Sequence, residues 1–198
     1  MNPPLILASG SAIRAQLLRA AGLDFAVVRP PVDEEAVKAG LRAEGLSVRD
    51  QADALAEAKC MSVALRRPGY VIGADQMLAC EGEVFDKPQD RAAAAESLKK
   101  LRGRAHNLIG AMCLAKDGAI IWRHIETPRL VMRPFSDAFL EDYLDRAGEA
   151  AFASVGAYQL EGLGAQLFSK IEGDYFSILG LPLLPLLAQL REHGIVPA

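Results

Sequence analysis

The stretch Leu5–Leu18, LILASGSAIRAQLL, sets two hydroxyls and a guanidinium (Ser9, Ser11 and Arg14) around a strand-to-helix turn. A helix N-terminus is the positive end of the macrodipole, so an arginine in the first turn is out of place unless an anion docks there. Turn N–H groups, two hydroxyls and a guanidinium together suit phosphate oxygens. An ordinary capped helix with a surface arginine fits the same residues. Lys59, in QADALAEAKCMSVAL, shares a helical stripe with Leu55 and Val63. It either snorkels out along its aliphatic stem or points into a cleft beside phosphates.

Asp75 stands just beyond the apolar run Tyr70–Ala74, and Lys87 follows in FDKP. The carboxyl edge of a strand is where open α/β sheets bind ligands. A carboxylate there can hold Mg²⁺ or orient water, and a lysine can neutralise a transferring phosphoryl group. A turn aspartate and a solvated lysine are the plain alternatives. Val32-Asp33-Glu34-Glu35, after Pro30-Pro31, supplies loop carboxylates or merely a solvated surface. No Walker A, GxGxxG, GxSxG or HExxH pattern occurs. Carboxylates for a hard metal, with Ser, Arg and Lys donors for phosphates, point to an enzyme acting on nucleotides or phosphate esters.

Short apolar runs alternate with helical patterns, so the elements that carry these residues predict an α/β architecture. Strands are expected at Leu5–Ala8, Phe25–Val28 and Tyr70–Ala74, the last delivering Asp75 at its C-terminal end. Ser11 caps a helix running to Gly22, and Ser47 with Asp50 opens one reaching Arg67. Asp90 caps an alanine-rich helix that ends at Gly103. Asn107–Ala115 and Ala119–Glu126 form a hairpin across Lys116-Asp117-Gly118. Leu130–Arg133 extends the strand region, and Ser136 caps a helix to Ala147. The tail reads as strands near Ala157–Leu160 and Leu167–Ile171, a Gly162-Leu163-Gly164 loop and a helix from Pro182 to His193, whose leucines close the core in preference to forming a dimer seam. The hairpin makes the sheet mixed, with helices flanking it.

The chain has 198 residues, 51% of them hydrophobic and 24% charged, which permits a packed core. A net charge of −3 without a basic arm argues against nucleic-acid binding. Cys60, Cys80 and Cys113 form no metal-ligand spacing and read as buried, reduced thiols. MNPPLILASG lacks the features of a signal peptide. The apolar ILGLPLLPLLAQL is interrupted by Pro182 and Pro185 and is too short to span a bilayer. A soluble, cytoplasmic protein without membrane or nucleic-acid partners is expected.

LASGSAIRAQLL, VDE, AEAK, IGADQ, DKP, LRGRAH and GAYQLEGLGAQLFSKIEGDYFSILGLPL occur in the order seen in the Maf-like nucleoside triphosphate pyrophosphatases, first named septum-formation inhibitors. The chain resembles that family over nearly its whole length. The resemblance implies one domain over residues 1–198, an elongated, two-lobed α/β fold with a twisted mixed sheet and a central cleft, commonly as a homodimer. It implies hydrolysis of nucleoside triphosphates to monophosphate and pyrophosphate with Mg²⁺ or Mn²⁺, a house-cleaning reaction on modified nucleotides. Ser9, Ser11 and Arg14 fall on the family's phosphate-binding turn, and Lys59 and Lys87 on its phosphate-facing lysines. Asp75 falls on the catalytic base, and Glu34 on an acidic residue implicated in metal binding. Asp75 serves as base or as metal ligand.

Three positions bear on the base. Where the family turn reads Ser-Pro-Arg-Arg, this chain has Ser11-Ala12-Ile13-Arg14. The branch favouring dTTP and UTP has threonine after the aspartate and glutamine before the Gly-x-Gly loop; here Gln76 and Glu161 stand there. Both resemble the branch acting on 7-methyl-GTP, which has tryptophan where Ile13 sits. A carboxylate accepts two hydrogen bonds from guanine N1–H and the 2-amino group, whereas uracil or thymine sets carbonyls against it. Ile13 cannot stack on a base. His106 opens the family's His-x-x-x-Thr-Gly pattern, but Gly110-Ala111 occupy its last places. The resulting expectation is 7-methyl-GTP ahead of dTTP and UTP, with a non-catalytic regulator of cell division as the reading from another class.

Overall fold

In the computed structural model, residues 4–197 are described. Met1–Pro3, part of the N-terminal stretch read above for a leader, lie outside them, as does Ala198. Strand β1 (Leu5–Ala8) is buried throughout and pairs in parallel with β2 (Ala26–Val28) and β3 (Tyr70–Cys80). Burial on both faces explains its unbroken apolar sequence. Between β1 and β2, α1 (Ala12–Ala20) starts where the Ser11 hydroxyl accepts from Arg14 N. Two helices, α2 (Glu34–Ala43) and α3 (Val48–Ala64), then lead into β3. The Ser47 hydroxyl accepts from Asp50 N at the start of α3.

Strand β4 (Glu83–Phe85) folds back on β3, and α4 (Arg91–Leu101) begins at the Asp90 cap. The hairpin of β5 (Ala105–Lys116) and β6 (Ala119–Glu126) turns at Asp117 and Gly118, both with positive φ. Strands β7 (Arg129–Met132) and β8 (Phe168–Glu172) enclose α5 (Asp137–Ala147), and α6 (Tyr175–Ile178) and α7 (Leu183–Glu192) complete the chain. The eight strands form one mixed sheet of order β2-β1-β3-β5-β7-β8, with β4 on β3 and β6 on β5. In α7, Leu183, Leu186 and Leu190 enter the core while Leu184 is exposed. All three cysteines are buried and reduced. Among the described residues no helix is long and apolar enough to cross a membrane.

The chain divides into two compact units: residues up to Asp75, Gly110–Glu126 and from Gly180 onward form one, and Gln76–Ile109 with Thr127–Leu179 the other. The second unit has its own apolar core, built around Leu78, Leu98, Leu108, Leu130 and Tyr143.

Three expectations are corrected. Strand β3 does not stop at Ala74; it runs on to Cys80 because Leu78–Cys80 pair with β4 across a tight turn at Glu81-Gly82. Asp75 therefore sits within the strand. Glu34 is not in a loop: the Asp33 side chain accepts from Ala36 N and starts α2, with Glu34 and Glu35 in its favourable first turn. Ala157–Leu160 is not a strand. Gly156 and Ala157 take φ of 77° and 62°, which no strand accommodates, and a short helical turn and a reverse turn replace it.

Candidate active site

The first unit gathers three charged residues from three elements. Lys59 Nζ in α3 stands 2.7 Å from Asp75 Oδ1 in β3 and 2.8 Å from Glu34 Oε2 in α2. Lys59 and Asp75 are buried, whereas Glu34 is exposed. The lysine does not snorkel to water; its stripe faces the sheet. Gly73 permits this approach, since a Cβ there would lie 2.4 Å from Ala56 O and from Cys60 Cβ. With two residues between Ala56 and Lys59, the same close contact of α3 with β3 sets the ammonium against the carboxylate.

Around the turn after β1 the hydroxyls are oriented by what they accept. Ser9 Oγ accepts from Ser11 N at 3.2 Å and from Arg14 Nη1 at 3.3 Å. Ser11 Oγ accepts from Arg14 N. With their lone pairs turned to the protein, both hydroxyls keep the O–H for an incoming acceptor, as an anion requires. Arg14 is buried, donating from Nε to Gly180 O at 2.7 Å and from Nη1 to Ala74 O at 2.8 Å. Among the described residues nothing bonds its Nη2. Burial lowers the guanidinium from its ordinary pKa, and the negative charges of Asp75 and Glu34 act against that shift. Arg14 thus fastens α1 to the strand carrying Asp75, a role its sequence position does not announce. Ile13, its neighbour, is half-buried.

The remaining candidates belong to the second unit. Gln76 Nε2 donates to Ser177 O at 2.9 Å and Ile178 O at 3.2 Å, so its amide hydrogens are held by α6 and Oε1 is the acceptor it can offer. Lys87 is exposed ahead of Pro88. Glu161 is exposed on a turn closed by Gly162 N donating to Gln159 O at 3.2 Å. Sequence reasoning left out Gly73 and the carbonyls of Ala74 and Gly180. A glycine inside an apolar strand pattern was the available signal for the first; backbone carbonyls carry none.

For a metal, the candidate donors of the first unit are Glu34 and Asp75, whose carboxylates both contact Lys59 Nζ. Among the described residues no group of three or more His, Cys, Asp or Glu is placed to hold a metal ion. Two carboxylates suit Mg²⁺, which keeps waters and completes its shell with substrate phosphates rather than with an all-protein cage. The residues fit such an ion.

The mixed α/β sheet thus sets a buried carboxylate–lysine pair beside a turn lined with hydrogen-bond donors. Residues 4–193 match the family described as Maf-like protein, and the chain belongs to that family. It is similar to a nucleoside triphosphate pyrophosphatase of Hyphomonas neptunium, 53% identical over 197 residues that cover 100% of each chain. It is also similar to a nucleoside triphosphate pyrophosphatase of Rhodospirillum rubrum, at 53% over 98% of this chain and 96% of the other. A 7-methyl-GTP pyrophosphatase of Rhizobium meliloti is 49% identical over 100% of both.

Proposed function

We propose that the protein hydrolyses nucleoside triphosphates to monophosphate and pyrophosphate, with 7-methyl-GTP preferred over UTP and dTTP. The observation that carries the chemistry is the convergence of Lys59, Asp75 and Glu34 in one unit with Ser9, Ser11 and Arg14. The triphosphate docks its oxygens on the two hydroxyls, the turn N–H groups and Arg14 Nη2. Lys59 holds Asp75 Oδ1, which leaves Oδ2 to take a proton from the attacking water. That water attacks the α-phosphorus; the bond to the bridging oxygen breaks and pyrophosphate leaves. Glu34, joined by Asp75 where that carboxylate acts as metal ligand instead of base, would hold Mg²⁺ or Mn²⁺, which would neutralise charge on the phosphates. By its resemblance to the family, Lys87 is a further lysine assigned to phosphate.

For the base, Glu161 accepts from guanine N1–H and the 2-amino group, and its charge favours a cationic methylated ring. Gln76 contributes Oε1 from a fixed amide. Ile13 adds apolar contact in place of stacking. The relatives' names support the coarse reaction and divide on the base. A homodimer is part of the proposal, checked by light scattering during gel filtration.

The test is pyrophosphate release from 7-methyl-GTP, GTP, UTP, dTTP and methylated pyrimidine triphosphates with Mg²⁺ or Mn²⁺, with Asp75→Asn as the blank. Turnover led by 7-methyl-GTP, falling at least a hundredfold in Asp75→Asn while nucleotide still binds, is the expected result. A preference for UTP or dTTP would reverse the base assignment and keep the chemistry. No turnover of any triphosphate by metal-loaded protein would move the reading to a nucleotide-binding regulator.

A further inference from the structure

Glu161 stands exposed on a turn, yet the residues just before it are fixed from several sides. The Tyr158 hydroxyl meets His106 Nε2 at 2.9 Å, and both residues are buried. The Tyr158 ring packs edge-on against Phe168 at 4.8 Å, with His106 tilted against both rings. Tyr143 Oη donates to Ala157 O at 2.9 Å, and the Ser154 hydroxyl donates to Tyr158 O. Gly164 lies so close beneath Gln159 that a Cβ would come within 2.5 Å of its carbonyl oxygen.

This anchoring has costs. Ala157 holds a left-handed φ of 62° without being glycine, and such conformations persist only where surrounding contacts over-determine them. His106 Nδ1 is buried without a partner among the described residues. An apolar pair in the same space would avoid an unsatisfied nitrogen. What the polar pair adds is a single height and rotation for the Tyr158 ring, three residues before Glu161. Burial pushes the His106 pKa down to about 4, so the imidazole that meets Tyr158 is neutral above that value.

We infer that Tyr158, seated on His106, is a positioning residue that fixes the root of the Glu161 turn and so sets base discrimination. The inference rests on the reading of Glu161 as the base-contacting carboxylate. It assigns no contact between Tyr158 and nucleotide.

The experiment compares the intact protein with Tyr158→Phe, His106→Gln, Ala157→Gly and Glu161→Gln, measuring kcat and KM for 7-methyl-GTP and UTP together with thermal unfolding. Tyr158→Phe is expected to raise KM for 7-methyl-GTP about tenfold, the effect of one misplaced charged hydrogen bond. The kcat and the UTP parameters should hold within about twofold. His106→Gln, which keeps a hydrogen-bonding partner for the Tyr158 hydroxyl, should retain most of the discrimination. Ala157→Gly, which relaxes the left-handed backbone and gives up one buried methyl group, should lower discrimination with little net change in thermal stability; it replaces Tyr158→Phe if that variant does not fold. If Glu161→Gln alters discrimination while Tyr158→Phe and Ala157→Gly do not, the positioning role is overturned and the base reading stands. If Glu161→Gln changes nothing, or no triphosphate is turned over, the base reading fails and the inference falls with it. Equal losses toward both nucleotides would also overturn it, as the signature of a merely structural pair.

Discussion

Lys59 donates to Asp75 Oδ1 at 2.7 Å with both side chains almost fully withdrawn from solvent, and the same ammonium reaches Glu34 Oε2. The buried carboxylate thus has its countercharge supplied by the fold before any ligand arrives. Removing one partner of such a pair costs about 3–5 kcal/mol, because the survivor is left buried and uncompensated. Lys59→Met should therefore unfold at markedly lower denaturant, and Lys59→Met with Asp75→Leu should recover most of that loss. Both variants should be inactive. Chemical denaturation alongside pyrophosphate release checks this; recovery of activity in the double variant would contradict the catalytic assignment.

Arg14 donates to the carbonyls of Gly180 and Ala74 in the fork geometry that only a guanidinium offers. Arg14→Lys keeps the charge and cannot serve both carbonyls. A loss of about 2 kcal/mol in stability is expected, with a higher KM for every triphosphate alike. Thermal unfolding and a nucleotide panel measure the two effects separately.

Gly73 brings β3 against α3 with no room for a side chain. Gly73→Ala should cost about 2 kcal/mol, since the added carbon meets backbone rather than a flexible side-chain end. Turnover should fall further than stability accounts for, because the helix that carries Lys59 must move outward. Gly82→Ala, where an added Cβ meets nothing although φ is positive, gives the matched control: some strain, little change in turnover.

His106 titrates near 4 in the folded protein, against an ordinary value of 6.5, because burial disfavours its cation. Between those values the unfolded chain binds a proton that the folded chain refuses, so unfolding becomes easier as pH falls. The contribution is fully present above pH 6.5, shrinks toward pH 4 and amounts to about 3 kcal/mol over that window. His106→Gln should flatten this part of the stability profile. Denaturation midpoints at pH 4, 5, 6 and 7.5 for the two proteins give the comparison.

Much of the fold was legible because capping residues and apolar runs act locally. Ser11, Ser47, Asp90 and Ser136 each cap a helix, and the Lys116–Gly118 turn closes its hairpin. The failures share a cause. Asp75 inside β3 interrupts an apolar pattern, and pairing with β4 and β5, set by residues further along, carries the strand past it. Helix α2 has no fully buried residue, and its apolar stripe is short, Val37 and Leu41 with small residues beside them, so the Glu34 carboxylate reads more readily as part of an acidic loop. At Ala157 the left-handed backbone depends on hydrogen bonds from Tyr143 and Ser154, which are distant or unmarked in the sequence. The charged residues of the candidate site were recognisable by type, whereas the Gly73 approach and the Arg14 carbonyl bonds arise from packing between elements.

The lack of any buried residue in α2 has a dynamic consequence. A helix attached through half-buried contacts and an ion pair belongs to the low end of the stability scale, and its amides should exchange with solvent through local opening long before the sheet unfolds. Glu34 rides on that helix while Asp75 is locked in the sheet. Local opening of α2 should therefore release Glu34 while Asp75 stays in place, and a ligand that engages both carboxylates should slow the exchange of the helix's amides.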